Sequence, residues 1–358
     1  MIKVLIIDNS NVVREFLAYI LASDPTIQIA GFANDGADAV AAVREMRPDV
    51  ITMDIHMQNI DGFEATRAIM ENVPTPIVIV SASNSVKEIA TTFKALDAGA
   101  LTVVQRPFGI GHIEHETTAR ELIQMVKLMS EIKVVKRHVN LQKERVLATP
   151  LFVPTQKISK EIQLIAIGAS TGGPPVLNKI FSLLPLDLPV PLLIVQHITH
   201  GYTKGFVEWL SDVSHFPVHI AVHNQKPSAG NGYVAPDGFY MGITRGSRII
   251  LSENISKNGL LSSVDFLFRS VSQELGSQVL GVLLTGMGRD GVEGLKMLKD
   301  RGAVTIAQDK DSSVVHGMPG EAIKIDAASY ILSPEAIATM LTNLAMKTNM
   351  KISGEKYE

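Results

Sequence analysis

The amino-acid sequence predicts two successive α/β domains, each built on a mostly parallel β-sheet. Short apolar runs alternate with amphipathic helical stretches over residues 1–122, and the same alternation returns over residues 161–347. Between these regions, residues 123–160 are basic and contain two prolines. The length of 358 residues agrees with this division, because a domain averages roughly 150 residues.

Five apolar runs predict the strands of the first domain: KVLII (3–7), IQIAGFA (27–33), DVITMD (49–54), PIVIVSAS (76–83) and LTVVQ (101–105). Apolar residues at helical spacing follow each run, at 12–22, 37–46, 63–71, 86–97 and about 112–132. Five βα units predict a parallel sheet with helices on both faces.

The segment between the domains carries a strong positive charge. Residues 126–160 hold eight Lys or Arg against Glu131 and Glu144, and Pro150 and Pro154 break any helix near the end of the segment. We interpret the segment as a solvated linker. The alternative is a basic docking surface for an acidic partner.

Four apolar runs predict buried strands in the second domain: LIAIG (164–168), PLLIVQ (191–196), QVLGVLLTG (278–286) and AVTIAQD (303–309). Helical stretches follow most of them, which predicts a doubly wound, mostly parallel α/β sheet. Residues 216–254 differ, because several short strand patterns succeed one another and indicate a small antiparallel hairpin portion. Residues 348–358 form a polar tail.

The composition excludes several classes of protein. Hydrophobic residues make up 46% and charged residues 19%, which is typical of a folded globular chain. There is no cysteine, so disulfides, thiolate catalysis and cysteine zinc sites are excluded. The net charge of -3 gives no general attraction for nucleic acid. No run approaches the ~18 apolar residues of a membrane span and no signal peptide is recognisable, so we expect a cytoplasmic protein.

Polar groups follow four of the predicted strands in the first domain. Asp8 ends the first strand, Asp54 the third and Ser81 the fourth, and Arg106 follows the fifth. The carboxyl ends of parallel strands meet at one edge of a sheet. Two carboxylates there suit Mg2+, and a hydroxyl with a cation suits a phosphoryl group. The alternative is that the acids only cap turns and helices.

The motifs around these residues resemble the two-component receiver domain. They are IIDNS (6–10), TMDIHMQNIDGFEA (52–65), VSAS (80–83) and QRPFG (105–109). The resemblance implies a flavodoxin-like (βα)5 fold in which Asp54 accepts the phosphoryl group. It also implies that Asp8, Asp54, Asn9 and the backbone carbonyl of His56 hold Mg2+. For the phosphoryl switch, it implies Ser81 and Arg106.

Three positions depart from the receiver pattern. Asn9 stands where the family has a second acid, Arg106 where it has Lys, and Gln58 where it has Pro. The metal site therefore loses one negative charge, and the guanidinium lacks the compact geometry of an ammonium group. We expect Mg2+-dependent phosphorylation of Asp54 that is weaker than in an ordinary receiver.

A serine motif opens the second domain. Residues 168–172 form a G-x-S-x-G sequence centred on Ser170, directly after a predicted strand. Pro174 and Pro175 then begin a helical pattern, so the dipole of a helix N-terminus would lie near any developing oxyanion. The alternatives are a glycine-rich turn without chemistry or a phosphate-binding loop, although no P-loop motif is present.

Two further strand ends offer a base and an acid for this serine. His197 ends PLLIVQ, and Asp290 follows VLGVLL within TGMGRDG (285–291), where the backbone N–H of Met287 could face an oxyanion. The order Ser–His–Asp along the chain disfavours the α/β-hydrolase superfamily but suits a triad defined by roles. His200 and His316 are the weaker candidates for the base.

The second domain, together with the receiver before it, resembles the chemotaxis protein-glutamate methylesterase family, CheB. The matching motifs are IGASTGG (167–173), QHIT (196–199), GYTKGF (201–206), SVDFLFRSV (263–271), LLTGMGRDG (283–291) and QDKDSSVVHGMPG (308–320). The resemblance implies that Ser170 is the nucleophile, His197 the base and Asp290 its partner. It also implies that the Met287 N–H stabilises the oxyanion and that Thr171 lies in the site. Tyr240 and the stretches 198–200 and 259–263 depart from the family pattern, and we expect altered substrate contacts there.

The resemblance implies a hydrolase that removes methyl esters from chemoreceptor glutamates and deamidates receptor glutamines, without a cofactor for the esterase. Its partners would be the chemoreceptors, which alone bring it to the membrane, and a chemotaxis histidine kinase. It would act as a monomer whose unphosphorylated receiver obstructs the catalytic cleft. Two alternatives stay open: a docking module with a degenerate receiver, and a serine hydrolase acting on a non-chemotactic methylated or amidated protein.

Overall fold

A computed structural model describes residues 1–57, 60–82, 85–132, 134, 161–244, 246–253 and 263–343. The chain divides into two compact units, Met1–Val146 and Leu147–Glu358. Most of the predicted linker, the polar tail, Gln58 and residues 259–262 lie outside the described residues, and the predicted domain boundaries stay predictions.

The first unit is the five-stranded parallel α/β sheet that the sequence predicts. Its elements are β1 (Ile2–Ile7), α1 (Asn11–Ala22), β2 (Ile27–Ala33), α2 (Gly36–Met46), β3 (Val50–Met53), α3 (Gly62–Asn72), β4 (Ile77–Ser81), α4 (Val86–Ala98), β5 (Thr102–Gln105) and α5 (His115–Ser130). The strand order is β2-β1-β3-β4-β5, so the order reverses between β1 and β3. Such a reversal opens a crevice at the carboxyl ends of those two strands.

Local sequence signals begin four of these five helices. Ser10, Asp35, Asp61 and Ser85 each accept a hydrogen bond from a backbone N–H in the first turn of the helix that follows. These caps satisfy donors that the helix itself leaves unpaired. The central strands β3 and β4 are wholly buried, as expected for a sheet covered on both faces, whereas the edge strands β2 and β5 are partly exposed.

The main elements of the second unit are β6 (Leu164–Ala169), α6 (Gly173–Phe181), β7 (Leu192–Gln196), α7 (Thr203–Ser214), β8 (Val218–Ile220), β9 (Gly232–Val234), β10 (Phe239–Ile243), β11 (Ile249–Glu253), α8 (Val264–Leu275), β12 (Val279–Leu283), α9 (Val292–Asp300), β13 (Val304–Gln308), α10 (Met318–Lys324) and β14 (Tyr330–Leu332). A parallel sheet runs in the order β14-β13-β12-β6-β7-β9-β8. Here the order reverses between β12 and β6, which places the end of β6 at the switch point.

Residues 216–254 form both parallel and antiparallel strands. Strands β8 and β9 pair in parallel at one edge of the large sheet, and only β10 and β11 form the antiparallel hairpin. Three-residue strands carry too little alternation for the sequence to distinguish the two arrangements. The edge strand β14 is equally short, and the sequence prediction does not include it. Among the described residues, no helix has the length and apolar character to cross a bilayer.

Candidate functional site

Ser170 lies in a sharp turn between β6 and α6. Its backbone N–H donates to the Thr285 carbonyl at 3.0 Å, and its own carbonyl accepts the Gly173 N–H at 2.8 Å. Gly172 has φ +77°, and a Cβ there would lie 2.5 Å from the Cβ of Val314. The turn therefore needs glycine at position 172, and it leaves the Ser170 side chain 8% exposed at the N-terminus of α6.

His197 comes from the neighbouring strand at the same sheet edge. Ala169 pairs with Gln196 across β6 and β7, and the His197 N–H donates to the Ala169 carbonyl at 2.9 Å. Ser170 and His197 are thus adjacent positions at two strand ends. The His197 Nε2 lies 2.8 Å from the Asp290 Oδ2. Because a carboxylate only accepts, Nε2 carries the proton and Nδ1 is the nitrogen left to act as a base.

Among the described residues, no hydrogen bond joins the Ser170 Oγ to the His197 ring. Catalytic hydrogen bonds in a substrate-free enzyme are often longer than in the reacting complex. His197 and Asp290 are thus joined by a hydrogen bond. Ser170 lies beside them because β6 and β7 pair in a register that brings their ends together.

Asp290 is held by the N-terminus of α8. Its Oδ1 accepts from the Ser263 Oγ and the Asp265 N–H, both at 3.0 Å, and its Oδ2 accepts from the Val264 N–H at 2.8 Å. Burial alone would raise the pKa of Asp290. The hydrogen bond and charge of His197, with the N–H groups of Asp265 and Val264, outweigh burial and lower this pKa, so the carboxylate stays ionised.

The loop before Asp290 packs directly against the serine. A Cβ on Gly286 would lie 2.6 Å from the Ser170 Cβ. The Gly286 carbonyl accepts from the Gly317 and Met318 N–H groups at 3.1 and 2.8 Å. Met287, the next residue, is 44% exposed. The structure therefore brings the segment of Met287 to the serine, where the sequence predicts an oxyanion donor.

Thr285 connects this loop to the turn of the serine. Its buried hydroxyl donates to the Thr171 carbonyl at 2.9 Å and accepts the Val315 N–H at 2.9 Å. The predicted site residue Thr171 is thereby tied to the loop through its backbone. Thr285 lies inside the motif LLTGMGRDG, but nothing in the sequence indicates this role for its hydroxyl.

The other histidines of this unit make different contacts. His219 lies 2.9 Å from the Asn231 Oδ1, and the His223 Nδ1 accepts the Leu251 N–H at 3.1 Å. His200 is exposed, and the backbone of His316 pairs with that of Gly286. Burial, followed by the charge of Lys310, lowers the pKa of His316. Among the described histidines, the one that forms an ion pair with a partly buried carboxylate is His197.

The carboxylates of the first unit meet at the β1/β3 switch point. Asp8 follows β1 and Asp54 follows β3. A pocket of about 320 Å3 at this edge is lined by Asp54, His56, Ala82, Glu88 and Arg106. Glu88 is a pocket residue that the sequence analysis missed, because nothing in the sequence distinguishes it from an ordinary acid in the first turn of a helix.

The two carboxyl groups lie close enough to affect each other, with Asp8 buried and Asp54 partly buried. Burial raises the pKa of Asp8, and the charge of Asp54 raises it further. Burial also raises the pKa of Asp54, against the lowering effect of His56 and Arg106. Burial disfavours the ionised form of both carboxyl groups, and the charge of Asp54 adds to this effect at Asp8. A divalent cation fits such a pair, because its charge would stabilise both carboxylates.

The remaining predicted receiver residues, Asn9, Ser81 and Arg106, each lie in a different setting. The Asn9 Nδ2 donates to the His56 carbonyl at 3.1 Å, so two of the residues predicted to hold Mg2+ already contact each other. Ser81 is fully buried, with its hydroxyl 3.4 Å from that of Thr92 in α4. Arg106 lines the pocket beside Asp54.

Comparison with known proteins identifies both units. Residues 165–341 match the family described as CheB methylesterase, and residues 4–118 match the response regulator receiver domain. A protein-glutamate methylesterase/protein-glutamine glutaminase of Nitrosospira multiformis is 51% identical over 344 residues, covering 96% of this chain and 97% of that protein. The chain belongs to the CheB methylesterase family.

A second relative and a solved structure are also similar to this chain. A protein of Syntrophus aciditrophicus, named protein-glutamate methylesterase/protein-glutamine glutaminase 1, is 50% identical over 351 residues, which are 96% of this chain and 99% of that protein. The crystal structure of the Thermotoga maritima CheB methylesterase catalytic domain is 33% identical, covers 52% of this chain and 100% of that one, and has a TM-score of 0.49. The two family resemblances found in the motifs are confirmed.

In this CheB-family chain, the strand ends of the second unit offer the groups needed for acyl transfer. The Ser170 hydroxyl is a potential nucleophile, and the His197 Nδ1 is a potential base. The ionised Asp290 holds the tautomer of His197 and favours the imidazolium that forms after proton transfer.

Proposed function

We propose that this chain hydrolyses methyl esters of glutamate side chains on chemoreceptors and deamidates receptor glutamines. The observation that carries the proposal is the hydrogen bond between His197 and Asp290 beside Ser170 at the switch point. The names of the relatives, protein-glutamate methylesterase/protein-glutamine glutaminase, support the substrate class.

The reaction begins when the Ser170 Oγ attacks the ester carbonyl and the His197 Nδ1 takes its proton. The N–H of Met287 stabilises the resulting oxyanion, with the N-terminus of α6 as a second source of positive potential. The C–O bond to the leaving group then breaks, and His197 donates the proton to the departing methanol. Water attacks the acyl-enzyme with His197 as base, which releases glutamate and restores Ser170. In deamidation the leaving group is ammonia.

Phosphorylation of Asp54 regulates this activity in the proposal. A histidine kinase supplies the phosphoryl group, and the phosphorylated receiver raises the rate of the esterase. Asp8, Asp54, Asn9 and the His56 carbonyl would hold Mg2+, which when bound neutralises the phosphoryl oxygens during transfer. The raised pKa values of Asp8 and Asp54, for which desolvation is the main cause, support this metal assignment.

The predictions of localisation, oligomeric state and domain boundaries are also part of this proposal. The chain would act as a cytoplasmic monomer that reaches the membrane only through its receptors. Its receiver would span residues 1–122 and its catalytic domain residues 161–347. The family match over 165–341 supports the second of these boundaries.

Methanol release from methylated receptor membranes tests the proposal. Wild type is compared with Ser170→Ala as the blank and with Asp54→Asn, each with and without acetyl phosphate and Mg2+. We expect serine-dependent release that rises with acetyl phosphate in wild type but not in Asp54→Asn. Release that ignores acetyl phosphate would contradict the regulation, and no release would contradict the esterase.

A further inference from the structure

One buried side chain contacts the backbones of both Ser170 and His197. Gln196 is the last residue of β7 and is 5% exposed. Its Nε2 donates to the Ser170 carbonyl at 2.8 Å and to the His197 carbonyl at 2.8 Å. A single amide group therefore links the strand ends that carry the nucleophile and the base.

This link lies where the main-chain pairing of the two strands ends. The His197 N–H still donates to the Ala169 carbonyl, which continues the ladder between β6 and β7. One residue further along β6, the partner of the Ser170 carbonyl across the strands is the Gln196 side chain. The amide thus extends the connection between the strands to the two residues that react.

The orientation of the Gln196 amide is unfavourable for its oxygen atom. The Gln196 Oε1 is buried and has no hydrogen-bond partner among the described residues. A Cβ on Gly173 would overlap this oxygen, so glycine at 173 leaves room for the amide. An apolar side chain of similar volume would avoid burying an unpaired acceptor. The two donated hydrogen bonds are what an amide offers here and an apolar residue does not.

We propose that Gln196 is a positioning residue that holds Ser170 and His197 at the separation required for proton transfer. This inference rests on the proposed function, because it assigns Gln196 to the same serine and histidine. The Ser170 carbonyl also accepts the Gly173 N–H, so the turn retains a hydrogen bond when the amide is removed. Loss of the amide should therefore disturb the alignment of the two residues more than the fold.

The test uses the full-length chain and two volume-conserving variants. Gln196→Met removes both donated hydrogen bonds. Thr305→Val is the matched control, because Thr305 is fully buried in β13 and its hydroxyl accepts the Ser329 N–H at 3.0 Å. Each protein is treated with a serine-directed fluorophosphonate, and its methanol release is measured as kcat and KM. Thermal unfolding shows whether the variants are equally folded.

We expect Gln196→Met to lower both the labelling rate and kcat by about 100-fold with little change in KM, as a misplaced catalytic group does. Thr305→Val should stay within about twofold of wild type, as substitutions remote from a site usually do. Equal labelling rates in the two variants would overturn the positioning role. A wild type that is neither labelled nor active would overturn the proposed function, and the role of Gln196 with it.

The variant Gln196→Glu provides a second readout that a purely structural role would not change. A protonated carboxyl group can still donate to one of the two carbonyls, whereas an ionised one repels both. We expect the ratio of its activity to that of wild type to fall at high pH, where the introduced carboxyl group ionises and both hydrogen bonds are lost. A profile with the shape of wild type would overturn the proposal, even if Gln196→Met fails to fold.

Discussion

Asp290 and Asp265 each cap the helix associated with the other. The Asp290 carboxylate accepts the Asp265 N–H at 3.0 Å in the first turn of α8. The Asp265 Oδ1 in turn accepts the Gly294 N–H at 2.5 Å in the first turn of α9, which begins two residues after Asp290. Asp290, the partner of the proposed base, therefore also helps to connect the N-termini of α8 and α9.

Replacing Asp290 should reduce both activity and stability. In Asp290→Asn, the amide no longer holds the His197 tautomer, and it loses the charge at the N-terminus of α8. We expect kcat to fall by about 1,000-fold or more. The free energy of unfolding should fall by about 1 kcal/mol, which is typical of a lost helix cap. Methanol release and urea denaturation measure the two effects.

Asp265→Asn is the control for this variant. It weakens the hydrogen bond that the Gly294 N–H of α9 donates to Asp265. The carboxylate of Asp290 and its hydrogen bond to His197 stay in place. A loss of stability with most of the activity retained is the expected result. If Asp265→Asn lost as much activity as Asp290→Asn, the loss in Asp290→Asn would come from a disturbed structure and not from the missing interaction with His197.

The stability contributed by Asp290 should disappear in acid. Its pKa is lowered on folding, so the folded chain binds this proton less readily than the unfolded chain does. Such a group stabilises the fold above the ordinary Asp value of 3.8, and its contribution is lost as the pH falls through the folded pKa. The difference in unfolding free energy between wild type and Asp290→Asn should shrink below about pH 4. A difference that grew in acid would contradict the lowered pKa.

Asp54 should affect stability in the opposite direction. Burial raises its pKa, so the folded chain binds the proton more readily than the unfolded chain does. The ionised carboxylate therefore costs stability, and this cost appears as the pH rises through the folded pKa. At neutral pH without Mg2+, Asp54→Asn should unfold at a higher temperature than wild type. Each unit of raised pKa is worth about 1.4 kcal/mol.

Calorimetry of the full chain at several pH values measures this effect. The advantage of Asp54→Asn should decrease as the pH falls and vanish below the ordinary Asp value of 3.8, where the wild-type carboxyl group is protonated in both states. Mg2+ should also reduce it, because the cation stabilises the ionised form in wild type. A less stable Asp54→Asn at neutral pH would show that the carboxylate is satisfied without a cation.

The sequence predicted the sheets and suggested candidate catalytic residues at their edges, because both inferences depend on local pattern. Strands buried on two faces appear as apolar runs, and polar residues at their ends mark the switch points. Ser170, His197 and Asp290 were found in this way. Gln196 was inside a quoted motif but had no role, because its two acceptors are backbone carbonyls, which every residue has.

The support of Asp290 could not be predicted for a related reason. Residues 263–265 and Asp290 are far apart in sequence, and their contact depends on how α8 packs across the sheet. A Cβ on Gly168 or on Gly291 would overlap Val264, the first residue of α8. Close packing of this kind follows from the tertiary structure, whereas the sequence shows only two glycines among many.

Restoring the second acid of the receiver should strengthen Mg2+ binding. Asn9 donates to the His56 carbonyl, whereas an aspartate there would accept only and would add a negative charge. For Asn9→Asp, the Mg2+ concentration that gives half-maximal phosphorylation by acetyl phosphate should fall about tenfold, because ligand charge sets affinity. Intact-mass measurement of the phosphorylated protein gives this midpoint.

The same variant should destabilise the metal-free receiver, since a third carboxylate joins Asp8 and Asp54. Asn9→Ala is the control, because it removes the hydrogen bond to His56 without adding charge. If Asn9→Ala lowered the Mg2+ midpoint as much as Asn9→Asp, release of the carbonyl and not the added charge would be responsible.

Gly286 should tolerate no side chain, because it lies against the proposed nucleophile. A Cβ there would approach the Ser170 Cβ to 2.6 Å, so Gly286→Ala must displace the serine or the loop that carries Met287. We expect labelling of Ser170 by a fluorophosphonate to slow by about 100-fold. Overpacking should also cost about 1–3 kcal/mol of stability.

Gly246→Ala is the matched substitution in the same unit. The nearest atom to a Cβ at 246 is the Thr244 Oγ1 at 4.0 Å, and Gly246 does not have a positive φ. This variant should label at the wild-type rate and unfold at nearly the wild-type temperature. If Gly286→Ala behaved in the same way, the loop would yield without moving Ser170, and the close approach of Gly286 would have no part in holding the nucleophile.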